Sequence, residues 1–372
     1  MENNLEKARR KINEIDKEMA RLFSERLHAA EVIADYKRER GLAILDPVRE
    51  EEVVRRNSSL IEEDAHREYY VSFLRDTMKI SRAYQSRLIS GMRVAYSGTV
   101  GAFAYIAAEK LFPEAEKVSY PDFAAAYRAV ECGDCDVCVL PVENSYNGEV
   151  GQVTDLMFSG SLYVNGMLEL GVTQDLLGVP GSTVGDITRV VSHPQALGQC
   201  DEYIRAHGFD TTEYSNTALA AEYVAKKGDK SLAAIASAEA AELFGLTVLD
   251  HNINENPTNT TRFAVFSRTA ARRLSREMGM HSILLFTVRN EAGALARAVE
   301  VIGSHGFNMR TLRSRPMKEL LWQYYFYVEA EGDVQTEEGR LMMEELGEFC
   351  DRLKFVGTYV KRVSAEKEKS DF

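Results

Sequence analysis

The sequence predicts a multidomain chain: an all-α N-terminal module, a two-lobed α/β middle module and a small α+β C-terminal module of βαββαβ order. Three observations carry this reading. Residues 1–90 place apolar side chains at spacings of three and four with no strand pattern. Residues 91–268 alternate short apolar strands with helices, and residues 280–362 repeat that alternation in a shorter unit. A chain of 372 residues has room for two or three such domains, and 45% hydrophobic with 27% charged residues fits globular protein.

In the first module Ile12, Ile15, Met19, Leu22, Phe23, Leu27, Ala30 and Ile33 mark one helical face from about residue 4 to Glu39, and Gly41 ends the run. Asp46-Pro47 supplies the cap and first residue of a second helix. A third covers His66 to Leu88. From Gly91 the period changes. Strands are expected at Arg93–Tyr96, Asp136–Val142, Arg189–Ser192 and Ala233–Ala236. The helices that follow them are Ala102–Leu111, Val150–Phe158, one opening at Pro194, and Ala238–Phe244 closed by Gly245. Such alternation predicts a largely parallel sheet. Met167–Val172 and Thr247–Leu249 are the expected passages between two lobes. An arginine-rich linker, Ser267–Gly279, precedes strands at Ser282–Arg289, Asn308–Arg315, Trp322–Glu329 and Phe355–Val360, with helices at Leu295–His305 and Glu337–Cys350. That order is ferredoxin-like.

Composition removes several function classes. A formal charge of −12 argues against nucleic acid and anionic membrane as partners. The charged segment Met1–Lys11 is no signal peptide, and no apolar run approaches the roughly 18 residues of a membrane span. Five cysteines are too few for a disulfide framework, so a reducing cytoplasm is the expected location. Cys132, Cys135 and Cys138 are spaced by three, but Cys138 lies inside an apolar strand run, so we read them as structural thiols and expect no metal.

The helical module carries cations on its first helix. Arg26 and Lys37 share nearly one face, roughly 16 Å apart along the axis, and long side chains can converge from both ends on one ligand. Arg9 lies roughly 42 Å from Lys37, so a second copy must supply it to the same pocket. On the third helix Leu74, Met78, Ser81 and Gln85 share a stripe, which turns two polar side chains inward where they need partners. A small dianion satisfies both demands. With Asp46, Arg49 and Glu50, this set resembles the all-helical chorismate mutase family over residues 5–88. The resemblance implies interlocked dimers that rearrange chorismate to prephenate. Arg26 and the partner copy's Arg9 would grip carboxylates, and Lys37 and Gln85 would bond the ether oxygen as charge grows there. Arg49 would order the site, Asp46 and Glu50 would meet the substrate hydroxyl or its surroundings, and Ser81 would complete the polar lining.

In the middle module small polar clusters stand at strand ends, where ligands of such sheets bind. They are Gly98-Thr99-Val100-Gly101, Val142-Glu143-Asn144-Ser145, Ser192-His193-Pro194-Gln195 and Thr260-Thr261-Arg262-Phe263. None is a dinucleotide or P-loop motif, and no Gly-x-Ser-x-Gly elbow accompanies the Ser-His pair. Together residues 92–268 resemble the prephenate dehydratase family. The resemblance implies a cleft between two lobes in which prephenate loses its ring hydroxyl and CO₂ to give phenylpyruvate, with no cofactor. Thr261 would donate to the departing hydroxyl, and Glu143 or His193 would relay the proton. Thr99, Asn144, Ser145, Thr173, Ser192, Gln195, Arg262 and Phe263 would bind substrate. Asp175 stands where the family often has histidine, with altered bonding at the cleft edge as the expected consequence.

Residues 281–361 resemble an ACT domain, a unit that binds amino acids at subunit interfaces. Gly293-Ala294-Leu295 matches its first motif, and Asn308, Ser314 and Arg315 its second region, where Arg313 replaces an expected glutamate. The implied effector is phenylalanine. The sequence therefore points to an enzyme of phenylalanine biosynthesis with two activities, homodimeric or larger. A non-catalytic amino-acid sensor is the alternative.

Overall fold

The computed structural model describes residues 3–256, 258–271, 279–317 and 323–363. Residues 272–278 of the expected linker and Trp322 of an expected strand lie outside them. The described residues form two compact units, the first helical and the second starting at Val94.

The helical unit contains α1 (Asn4–Arg40), α2 (Pro47–Ser58) and α3 (Asp64–Ser90). Asn3 caps the first turn of α1, and Gly41 ends it in the left-handed region at φ 61°. The Asp46 carboxylate accepts the Arg49 N–H at 3.0 Å and so starts α2. Val54, Leu74 and Met78 make the buried cluster. The apolar stripe of α1 is only partly covered: Ala30 and Ala34 are buried, while Ile12, Ile15, Met19, Leu22 and Phe23 stay 38–54% exposed.

The second unit begins with β1 (Arg93–Ser97), α4 (Phe103–Leu111), β2 (Glu116–Tyr120), α5 (Phe123–Glu131), β3 (Val137–Asn144), β4 (Gly148–Glu149), α6 (Gly151–Ser159) and β5 (Tyr163–Gly171). The chain then crosses to β6 (Asp175–Gly178), β7 (Arg189–Ser192), α7 (Pro194–Gln199), α8 (Asp201–His207), β8 (Asp210–Glu213), α9 (Thr217–Lys227), β9 (Leu232–Ala236), α10 (Ala238–Phe244) and β10 (Thr247–Asp250). It returns as β11 (Thr260–Ser267). A last stretch adds β12 (Met280–Val288), α11 (Ala294–Ser304), β13 (Met309–Pro316), β14 (Tyr324–Glu331), α12 (Glu337–Phe349) and β15 (Cys350–Val363).

Two expectations need correction. The sheets are mixed rather than largely parallel. β1 runs parallel to β3, and β7 parallel to β8 and β9, but the returning β11 slots antiparallel between β3 and β5, and β6 is antiparallel to β9 and β10. The expected passages between lobes are strands of the two sheets; the passages are residues 172–174 and 251–259. They bond to each other: Val172 N–H donates to the Asn259 carbonyl at 2.8 Å, and Ile253 N–H to the Gln174 carbonyl at 2.8 Å.

The larger sheet follows the order β13-β14-β12-β15-β5-β11-β3-β1-β2, with β4 on β3; the smaller is β10-β6-β9-β7-β8. One sheet thus runs from the C-terminal module into the first lobe, because the end of β15 pairs in parallel with β5. Gly357 makes this close approach possible: a Cβ there would fall 2.0 Å from the Val164 carbonyl oxygen. Leu284, Phe286, Ala298, Ile302, Val328, Met342 and Leu346 form the core under α11 and α12.

Candidate active sites

In the helical unit the Arg26 guanidinium donates to the Ser81 hydroxyl, and to the Thr77 carbonyl at 3.4 Å, which ties α1 to α3. Lys37 donates to the Ile44 carbonyl. Among the described residues neither cation has a carboxylate partner, and burial lowers the pKa of Arg26. Gln85 is buried, and its amide oxygen, an acceptor, has no partner. Two cations without carboxylate partners suit an anionic ligand, and the unpaired Gln85 oxygen suits a ligand hydroxyl. Arg9 is exposed on the early turns of α1. Three expected contacts sit elsewhere. Arg49 pairs with Glu52 on the surface at 2.7 Å, Asp46 is occupied as the cap of α2, and Glu50 pairs with Arg82.

In the second unit a cleft of about 360 Å³ opens between the two lobes. Asn144, Thr261 and Phe263 line it from β3 and β11, His193 and Gln195 from the start of α7, and Asn216 from the start of α9. Asn144 and Thr261 are register partners, and the Asn144 amide donates to the Thr261 hydroxyl oxygen at 2.9 Å. The hydroxyl therefore accepts from Asn144 and keeps its own proton for a ligand. The same amide donates to the Asn259 side chain at 2.8 Å, while its oxygen accepts the Tyr146 and Asn147 N–H groups at 3.0 and 2.9 Å. This fixes Asn144 from both ends. His193 caps α7: its Nδ1 accepts the Gln195 N–H at 3.2 Å, so in the neutral ring Nε2 carries the proton. A larger hollow of about 810 Å³ lies among α5, α6, β13 and β14. It holds none of the expected dehydratase residues, whereas the Asn144–Thr261 pair lies in the cleft.

Other expected contacts do not line the cleft. Period-two alternation turns Glu143 and Arg262 to the opposite face from Asn144 and Thr261. There Arg262 donates to Glu143 at 3.1 Å and forms a fork on Glu329 at 2.9 and 3.0 Å, with Tyr359 at 2.7 Å. Burial opposes both charges, yet the pairing holds Arg262 above and Glu329 below their ordinary pKa values. Ser192 is fully buried and donates to the Ile235 carbonyl at 2.5 Å. Ser145 braces the strand start by accepting the Thr260 N–H at 3.0 Å. Thr99 reaches Asn216 at 3.5 Å from just outside the cleft, and Thr173 lies between the lining residues Val172 and Gln174. Asp175 is buried and accepts the Asn252 N–H at 2.8 Å, so the departure at this position secures the returning passage. Gln174 and Asn259 line the cleft and were not anticipated. They belong to the passages between lobes, and only the pairing of those passages brings them together. Alternation along the strands, by contrast, was a signal in the sequence that separates Glu143 from Asn144.

In the C-terminal module Gly293 adopts φ 84° as the cap of α11, ahead of Ala294 and Leu295. Asn308 donates to Glu331 at 2.8 Å. Ser314 is exposed on β13, but Arg315 points to the other face, where it donates to Asp155 at 3.1 Å and to the Tyr325 hydroxyl at 3.0 Å. Arg315 is thus not free to hold an effector.

Residues 8–86 match the family described as chorismate mutase type II, and residues 94–271 the prephenate dehydratase family. A bifunctional chorismate mutase/prephenate dehydratase of Neisseria gonorrhoeae is 32% identical over 355 residues, spanning 94% of this chain and 95% of that protein. Two solved structures are similar. One, described as a novel type of quorum-quenching acylase, has a TM-score of 0.67 at 32% identity and covers 73% of this chain and 98% of its own. The other, a prephenate dehydratase from Arthrobacter aurescens in complex with L-Phe, has a TM-score of 0.66 at 25% identity and covers 72% and 90%.

Proposed function

This chain belongs to the family of bifunctional chorismate mutase/prephenate dehydratases, and on that premise we propose that its two reactions run at the two sites described above. It converts chorismate to prephenate and prephenate to phenylpyruvate. In the helical unit Arg26 holds a substrate carboxylate. Lys37 and Gln85 stabilise the ether oxygen while the C–O bond breaks and the C–C bond forms, a step with no covalent intermediate. The uncovered stripe of α1 supports a second copy packed along it, which brings Arg9 to complete the site.

In the cleft Thr261 donates to the departing ring hydroxyl while CO₂ leaves and the ring becomes aromatic. Asn144 keeps the Thr261 proton aimed at substrate, and His193 Nε2–H supplies a second donor. The observation that carries this reading is the 2.9 Å bond from Asn144 to Thr261. The domain limits we propose are 1–90, 91–268 and 280–362. The strand order β13-β14-β12-β15 supports reading the last as ferredoxin-like. Phenylalanine is its proposed effector, on the loop Gly293–Leu295 with Asn308 and Ser314; the relative solved with L-Phe supports this. Titration calorimetry tests it, and no heat at millimolar phenylalanine would sink it. The acylase description remains with that neighbour. Ultraviolet assays test the main reading: chorismate should disappear and phenylpyruvate accumulate.

A further inference from the structure

The hairpin β3–β4 presents two carboxylates as cross-strand partners, Glu143 opposite Glu149. Like charges in that relation repel. They are met by two arginines two residues apart on β13. Arg313 forms an ion pair with Glu143, and Arg315 Nη1 lies 3.6 Å from Glu149. Alternation puts both arginines on one face of β13 and leaves Leu312 and Ser314 exposed on the other. The fit is close: a Cβ on Gly151 would lie 2.3–2.5 Å from the Arg315 guanidinium. Asp155 and Tyr325 fix the same guanidinium.

The other face of this hairpin carries Asn144, the residue that holds Thr261. We propose that Arg313 and Arg315 are positioning residues for the dehydratase reaction. From β13 they neutralise Glu143 and Glu149 and fix the hairpin so that Asn144 stays on Thr261. Arg262 also reaches Glu143, but it is shared with Glu329, so it does not replace Arg313. Arg313 thus has a physical role at the position where an acid was expected. The C-terminal module becomes part of the dehydratase site rather than an appendage to it.

The inference rests on the reading of Thr261 as the dehydratase hydroxyl, and its test separates the two. The full chain is assayed on prephenate and on chorismate as Arg313→Met, Glu143→Gln, the double variant and Arg313→Lys. Each of the first two should lower kcat on prephenate about tenfold, with KM within about threefold and mutase turnover unchanged. The double variant should lose no more than the worse single one, because both remove one contact. Arg313→Lys, which keeps the charge, should recover part of the loss. Wild-type kcat in Arg313→Met, or a double variant whose loss is the product of the two, would overturn the inference. If Arg313→Met fails to fold, Arg315→Gln takes its place: it removes the charge that faces Glu149, so a similar kcat loss is expected and unchanged kcat overturns the inference. An unmutated chain inactive on prephenate would instead overturn the reading of the cleft.

Discussion

Thr261 shows how one hydrogen bond assigns a chemical direction. Because its oxygen accepts from Asn144, its proton is left for the cleft. Thr261→Val keeps shape but removes the donor, so kcat on prephenate should fall by about 10²–10³-fold, as for loss of one preorganised donor. Phenylpyruvate absorbance reads this directly, and because the change also removes the acceptor of Asn144, stability should drop by about 1 kcal/mol. Ser192→Ala should cost stability alone. Its hydroxyl bonds the Ile235 carbonyl deep in the second lobe, so stability should drop by about 1 kcal/mol while kcat changes little, as denaturant melts and assays can check. In the helical unit Lys37→Ala should cost the mutase about 10²–10³-fold and leave prephenate turnover intact.

At the scale of elements, local signals were legible and pairings were not. Gly41 and Gly245 end their helices, and Asp46 and Pro194 start theirs, because caps depend on neighbouring residues alone. The antiparallel place of β11 depends on residues over a hundred positions away, which no local pattern encodes. The site divides the same way. Thr261, Asn144 and His193 were legible as strand-end polar groups, whereas Glu143 and Arg262, expected beside them, lie on the opposite face because adjacent residues on a strand face apart. Elements also predict a pH response. His305, at the end of α11, bonds Glu345 at 2.8 Å and Glu338 at 2.6 Å on α12, and these carboxylates raise its pKa above the ordinary imidazole value. A raised folded-state pKa adds stability that is fully present below about pH 6.5 and is lost as pH rises through the folded value. Wild type should therefore melt above His305→Gln by a wider margin at pH 6 than at pH 9. An equal margin at both would contradict this pairing.

At the scale of the whole molecule the account rests on two sites in two compact units of one chain. Arg26, Lys37 and the unpaired Gln85 oxygen lie within the helical unit, and the Asn144–Thr261 pair lies within the other. Neither set shares a residue with the other, so each reaction should fail alone. The C-terminal module is different, because one sheet and several arginine contacts join it to the dehydratase lobe. Separate sites make a sharp prediction for the product of a blocked chain. The most direct measurement is chorismate turnover by Thr261→Ala, with chorismate loss and phenylpyruvate gain followed together. Chorismate should vanish at the wild-type rate and prephenate should accumulate without phenylpyruvate. A folded Thr261→Ala chain that no longer consumes chorismate, or one that still makes phenylpyruvate at the wild-type rate, would contradict the assignment of two independent sites.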